Sequence, residues 1–256
     1  MAARRGRTPR DARRRAYAQN FLASRALASQ LVRDARVERS DLVVEVGAGR
    51  GVLTAELARR AKKVQAIELD PAWAQRLREG FAENQRVEVI EADVLRVQLP
   101  TEPFRLVASL PFNITTRLLR RVLNDPEIPL VRADLIVQWE VARKRAGRPR
   151  TALSASWSPW WRFRIGRKIP RTAFRPRPAV DAGVLVVERR PDPLLPTDVS
   201  EAFASFVQSL FAGTLVREID PTQWAALFAA YARETNPGTD SAATSRAPRR
   251  HQHDRA

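Results

Sequence analysis

A doubly wound α/β fold is predicted by three features of the 256-residue chain. A short run rich in β-branched residues, Leu42–Val46 (LVVEV), suits a strand buried on both faces of a parallel sheet. Gly47, Gly49 and Gly51 follow at once, where the backbone can turn sharply and approach a ligand because no Cβ stands in the way. A helical pattern then begins near Val52, with Leu53, Leu57 and Ala58 on one face, and a second apolar run at 64–70 (VQAIELD) follows it. Strand, glycine turn, helix and strand make half of a nucleotide-binding α/β sheet.

The spacing of the turn narrows the nucleotide. A dinucleotide fingerprint reads G-x-G-x-x-G and seats a pyrophosphate on a helix N-terminus. Here it is G-x-G-x-G, with Glu45 two residues upstream. A carboxylate at that place repels a diphosphate and can hold a cationic amino-acid group, directly or through water. Glu68, closing the second strand, faces the same crevice and can accept from both hydroxyls of a ribose.

Composition bounds the rest. The chain carries 45 Lys and Arg against 28 Asp and Glu, a formal charge of +17 that points to a polyanionic partner. Nearly all the cations are Arg, whose planar fork suits phosphates and base stacking. With no cysteine there is no disulfide, no thiolate metal site and no thiol nucleophile. Both histidines, His251 and His253, fall in a polar tail, so neither a metal site nor a His-based triad is expected. The N-terminus has charge but no apolar segment behind it, and no stretch is long and apolar enough to span a membrane, so a cytoplasmic protein is expected.

The remaining elements follow in order. Residues 1–16 make a basic arm, expected to be disordered alone. A main domain over 17–190 starts with a helix at 26–35 and continues past the second strand with a helix at 71–81, Pro71 in its first turn. A third strand at 86–90 leads to Asp93, a fourth lies at 104–108, a helix at Thr115–Leu123 and a fifth strand at 133–139. Glu140 opens another helix, and Gly147 to Arg150 is a basic loop. Trp157, Trp160, Trp161 and Phe163, interleaved with Arg162 and Arg164, suit core and sheet face better than a base-stacking platform. Residues 183–188 (GVLVVE) close the sheet as an antiparallel edge. After a Pro-rich linker, helices at 199–213 and Pro221–Thr235 form a small helical domain within 191–235, expected to pack on the first and form a cleft for RNA. Residues 236–256 are a disordered basic tail by composition.

Several segments carry a resemblance. E-x-G-x-G-x-G followed by an acid at the end of the next strand resembles the S-adenosylmethionine site of class I (Rossmann-like) methyltransferases. Gln19-Asn20-Phe21-Leu22 before the first strand is similar to a segment of the ribosomal RNA adenine N6-dimethyltransferases, and Ser109-Leu110-Pro111-Phe112-Asn113-Ile114-Thr115-Thr116 looks like their catalytic motif. Val137 to Lys144 (VQWEVARK) and Phe174 to Asp181 (FRPRPAVD) resemble two further stretches of the same enzymes. The resemblance implies that Asn20, Leu22, Glu45, Gly47, Gly49, Glu68, Asp93 and Ser109 touch S-adenosylmethionine, with Asp93 at its adenine. It also implies that Ser109 and the Leu110 carbonyl accept the target amine's protons, that Pro111 shapes the motif, and that Phe112 and Phe174 lie against an adenine drawn out of its helix. Ser109 is a departure, since the family has Asn or Asp there; a hydroxyl is shorter and both donates and accepts.

The I-T-T-R-L-L wording, the V-Q-W-E-V-A-R-K segment, the Arg-rich arms and the short helical domain are most like the macrolide-lincosamide-streptogramin B resistance (Erm) methyltransferases of 23S rRNA. The resemblance then implies a monomer adding one or two methyls to the N6 of an adenine in 23S rRNA before the ribosome is fully assembled. Two alternatives stay open within the fold: a dimethyladenosine enzyme of small-subunit 16S rRNA, and a non-catalytic nucleic-acid-binding protein for which Ser109 is the best argument. An N6-adenine DNA methyltransferase is weaker, since no sequence-reading domain is recognisable.

Overall fold

The computed structural model describes residues 20–109, 114–147, 149, 151–213 and 219–235. Nine strands and eight α-helices are found among them. β1 (Phe21–Leu22) and α1 (Arg25–Asp34) lead into β2 (Leu42–Val46), α2 (Val52–Ala58), β3 (Lys63–Glu68), α3 (Pro71–Gly80), β4 (Val87–Glu91) and β5 (Phe104–Ser109). Then come α4 (Thr115–Leu123), β6 (Leu130–Gln138), α5 (Trp139–Arg145), α6 (Ala152–Trp157), β7 (Trp161–Ile169), β8 (Phe174–Arg175) and β9 (Ala182–Arg189). Two helices, α7 (Ser200–Gly213) and α8 (Pro221–Thr235), follow.

Seven strands form one mixed sheet in the order β4-β3-β2-β5-β6-β9-β7; the first five pair in parallel, and β9 pairs antiparallel with β6 on one side and β7 on the other. Strand order reverses between β2 and β5, so a crevice opens at their carboxyl ends, the place where such sheets take ligands. All five residues of β2 are buried, as a central strand covered on both faces requires. Side-chain caps open some of the helices: at α1 Ser24 accepts from the Leu27 N–H (3.2 Å), and at α3 Asp70 accepts from that of Ala72 (2.9 Å) with Pro71 just inside the helix.

Two apolar clusters sandwich the sheet. One joins α1 and α2 to Val43, Val107, Ile136 and Val184. The other joins α4 to Trp157, Trp160 and Trp161 and runs on without a break into Phe203, Phe206, Trp224 and Phe228 of the C-terminal helices. The tryptophans are the seam: Trp160 meets Phe203 edge-on at 5.8 Å and donates to the Leu195 carbonyl at 2.9 Å, while Trp157 donates to Asn124 Oδ1 at 2.8 Å. All three, with Phe163, are core residues and offer no face to a base.

One expectation is corrected. Residues 183–188 are antiparallel but not at the edge, because β7 pairs outside them. β7 places Trp161 and Phe163 inward and Arg162 and Arg164 outward, the charged pattern that protects a free edge. That alternation of rings and arginines hides a nine-residue strand from any apolar count.

A buried ion pair ties this edge to the centre. Arg132 of β6 makes a two-pronged contact with Asp134 (2.7 and 2.7 Å), reaches Glu188 of β9 (2.8 Å) and donates to the Asp34 carbonyl at the end of α1 (3.0 Å). Removing one member strands the other in low dielectric. Asp134→Ala is therefore expected to lower the unfolding free energy by about 3 kcal/mol, read as a fall in the urea midpoint with an unchanged slope.

Candidate active site

Strand register brings the predicted residues to one level. Val46 of β2 lies opposite Ile67 of β3 and Ala108 of β5, so Gly47, Glu68 and Ser109 are each the next step at the crevice. Glu68 in turn lies opposite Glu91, which leads through Ala92 to Asp93. Glu45 sits one step behind, beneath the turn.

The turn is built from the backbone outward. Gly47, Gly49 and Gly51 all hold positive φ (75°, 54° and 76°), a conformation that L side chains rarely adopt. Glu68 secures the loop: one carboxylate oxygen accepts from the Gly49 N–H (2.8 Å), the other from the Asp70 N–H (2.9 Å). Burial pushes the Glu68 pKa up and the two N–H groups oppose the rise. A carboxylate has about four lone-pair sites, so these two bonds leave room for the hydroxyls of a ribose.

Glu45 is different. It is 1 % exposed, and neither oxygen has a hydrogen-bond partner among the described residues. Burial raises its pKa to about 7; Thr54 opposes the rise from close range without closing a hydrogen bond, and the Glu68 charge adds to it. Thr54 Oγ1 is likewise buried without a partner. Three orphaned polar atoms below a glycine turn fit a bound group that brings a cation and a donor to this place, as the amino-acid end of S-adenosylmethionine would.

The other candidates are distributed as follows. Asp93 is half-buried and its Oδ1 accepts from the Leu95 N–H (2.9 Å), so it shapes its own turn while standing at the crevice. Ser109 is half-buried at the end of β5. Leu110, Pro111 and Phe112 lie outside the described residues. Leu22 is buried and pairs with Phe174 in the two-stranded sheet β1-β8, while Asn20 just precedes that strand. Phe174 is 2 % exposed inside the cluster of α1 and α2, so its ring is a core side chain here and offers no face to an adenine.

Sequence reasoning missed a cover over the turn. The Phe21 ring lies so close to Gly49 that a Cβ there would stand 2.8 Å from it. Trp73 of α3 lies 5.0 Å from Phe21, Arg50 sits over both rings (5.0 and 5.7 Å), and Arg76 over Trp73 (4.8 Å). The only signal was a second aromatic two residues into the next helix. Among the described residues no Asp, Glu, His or Cys cluster suits a metal and no helix is long and apolar enough to cross a membrane.

The raised Glu45 pKa has a definite sign. Between pH 4.5 and about 7 the folded chain keeps a proton that the unfolded chain has released, so this group's contribution to stability is full below 4.5 and lost as pH rises to 7. Glu45→Gln is expected to gain up to about 3 kcal/mol over wild type at pH 8 and almost nothing at pH 4.5, measured by urea unfolding at both pH values.

Known proteins resemble the chain in sequence and in fold. The chain is 42% identical over 214 residues to an rRNA methyltransferase of Streptomyces thermotolerans, covering 83% of this chain and 71% of that one. It is 38% identical over 208 residues to the mycinamicin-resistance protein MyrB of Micromonospora griseorubida, covering 80% and 65%. Among solved structures, the 23S rRNA methyltransferase ErmE superposes with a TM-score of 0.69 at 35% identity over 76% of this chain and 80% of that one. The family model for ribosomal RNA adenine dimethylases matches residues 10–218, so with its glycine turn, its two site acids and its strand order in place the chain belongs to that family.

Proposed function

We propose that the protein transfers methyl groups from S-adenosylmethionine to the N6 of one adenine in 23S rRNA and so confers resistance to macrolide, lincosamide and streptogramin B antibiotics. The observation that carries the cofactor assignment is Glu45, a buried carboxylate left unpartnered beneath the glycine turn. The likeness to ErmE and to a mycinamicin-resistance protein supports the choice of 23S rRNA and of resistance. The charge of +17 supports an RNA partner.

In this reading Glu45 takes the amino group of the cofactor, Glu68 its ribose hydroxyls and Asp93 its adenine, with Asn20, Leu22, Gly47 and Gly49 closing around it. The cofactor supplies an electrophilic methyl on sulfur. The chain's own task is orientation: an acceptor at Ser109 and the Leu110 carbonyl would hold the amine's protons so that its lone pair faces the methyl. Pro111 fixes the motif and Phe112 would stack on the adenine, which must leave its helix to arrive. Methylation removes a hydrogen-bond donor from the drug's binding surface and adds bulk. The protein would act as a cytoplasmic monomer on 23S rRNA not yet fully assembled.

The test is transfer of a labelled methyl to protein-free 23S and 16S rRNA, mapped by primer extension and nucleoside mass. A single 23S adenine carrying N6-methyl or N6,N6-dimethyl is expected. Label on 16S would assign the protein to small-subunit RNA, and no label with cofactor bound would make it a binding protein, with Ser109 as the reason. Ser109→Asn is expected to raise the rate or leave it unchanged; a large loss would show a site built around the shorter side chain.

A further inference from the structure

The arginines of the sheet fall into two populations. On the α1 side a groove of about 670 Å3 is lined by the cations Arg33, Arg36, Arg132, Arg164, Arg167 and Lys168, with Asp34 and Asp134 among them. Most of that charge is neutralised in place: Arg132 by Asp134 and Glu188, Arg164 by Glu188, Arg167 by Asp34 and Lys168 by Asp181. A smaller cavity of about 250 Å3 lies where the outer edge of β7 meets the end of α5, the helix α6 and the start of α8. Its walls include Arg145, Arg162, Arg190, Ser154, Ser158 and Pro221. Arg164 at its rim is held by Glu188, and among the described residues no carboxylate lines it.

The three remaining cations, Arg145, Arg162 and Arg190, have no carboxylate partner among the described residues. Arg145 makes two long contacts, to Ser154 Oγ and Thr116 Oγ1 (both 3.4 Å), and lies over the Trp157 ring at 5.5 Å. Arg190 spends one N–H on the Ser158 carbonyl (2.8 Å). Burial, and then Arg120, push the Arg145 pKa down; burial, and then Arg162, do so for Arg190. Like charges gathered in a half-desolvated cavity are destabilising unless an anion joins them. A guanidinium fork matches the oxygens of a phosphate.

We propose that this cavity binds a backbone phosphate of the RNA substrate, apart from the crevice where methyl transfer is placed. It rests on the reading of the protein as an RNA methyltransferase and adds where the strand is gripped. Arg145 links the cavity to Thr116, three residues beyond Asn113, so a phosphate held there fixes the strand against the helix that follows the S-L-P-F-N motif. Pro221 brings the C-terminal helix pair to the same wall.

The test uses the full chain and two RNAs, a 23S rRNA fragment and an unrelated RNA of equal length, with affinity measured against salt. Arg145→Gln/Arg190→Gln, and separately the exposed Arg162→Gln, are expected to weaken binding several-fold on both RNAs. Each should reduce the log–log salt slope by about 0.7 to 0.9, the share of one phosphate. Arg167→Gln in the paired groove should leave the slope as it is. Thermal midpoints and cofactor binding check that each variant is folded; if the double variant is not, Arg162→Gln decides alone. Wild-type slope and affinity in folded cavity variants would overturn the proposal, as would a loss confined to one RNA sequence. Thermal protection of wild type but not of the variants by inorganic phosphate, with the RNA slope unchanged, would assign the cavity to a free anion and overturn the RNA contact. A normal slope change without methyl on either rRNA would remove the function proposed above and leave this site standing. Failure of wild type to bind either RNA would sink both.

Discussion

The carboxylate of Glu45 is the constraint to which the site answers. Sequence places it in the middle of a strand buried on both faces, and register places it one step below the crevice. An ionised carboxylate there is unfavourable unless something meets it, and the chain supplies only Thr54, at no bonding geometry. The left-handed glycines above it, the Glu68 bonds that pin the turn and the Phe21–Trp73 cover are intelligible together as a cradle whose floor is anionic. A fold selected for stability alone would place an apolar side chain at this position. The proposed role, a floor for the cationic amino group of the cofactor, would account for a carboxylate left unmet there.

The same logic separates the arginines. Several on the α1 side of the sheet are consumed in architecture: Arg132 joins β6, β9 and α1 through one guanidinium. Those at the β7 edge near α8 meet no acid among the described residues, and the strongly positive balance of the chain shows itself there as local repulsion. Net charge alone says that a polyanion is a fitting partner; the pairing pattern says which cations are available for it.

Much of this was legible in the sequence because it is local. The glycine spacing, the acid closing β3, Pro71 at a helix start and the periodic faces of α4 and α8 each write their structure in a few neighbouring residues. Three things were not local. β7 alternates rings with arginines and hides a strand within a charged run. Phe174, marked as a stacking ring by resemblance, is drawn into the core by pairing with Leu22 some 150 residues away, a consequence of topology and not of its own segment. The arginine-lined cavity is assembled from α5, α6, β7 and α8, and no window of sequence contains it.

The measurement that tests the account most directly is proton release when S-adenosylmethionine binds, by calorimetry at pH 7 in two buffers of different ionisation enthalpy. With Glu45 titrating near 7, a cation placed beside it should expel about half a proton from wild type and none from Glu45→Gln, which should also bind more weakly. Binding with no proton release, and with equal affinity in the Gln variant, would contradict the placement of the cofactor's amino group over Glu45 and with it the reading of the whole crevice.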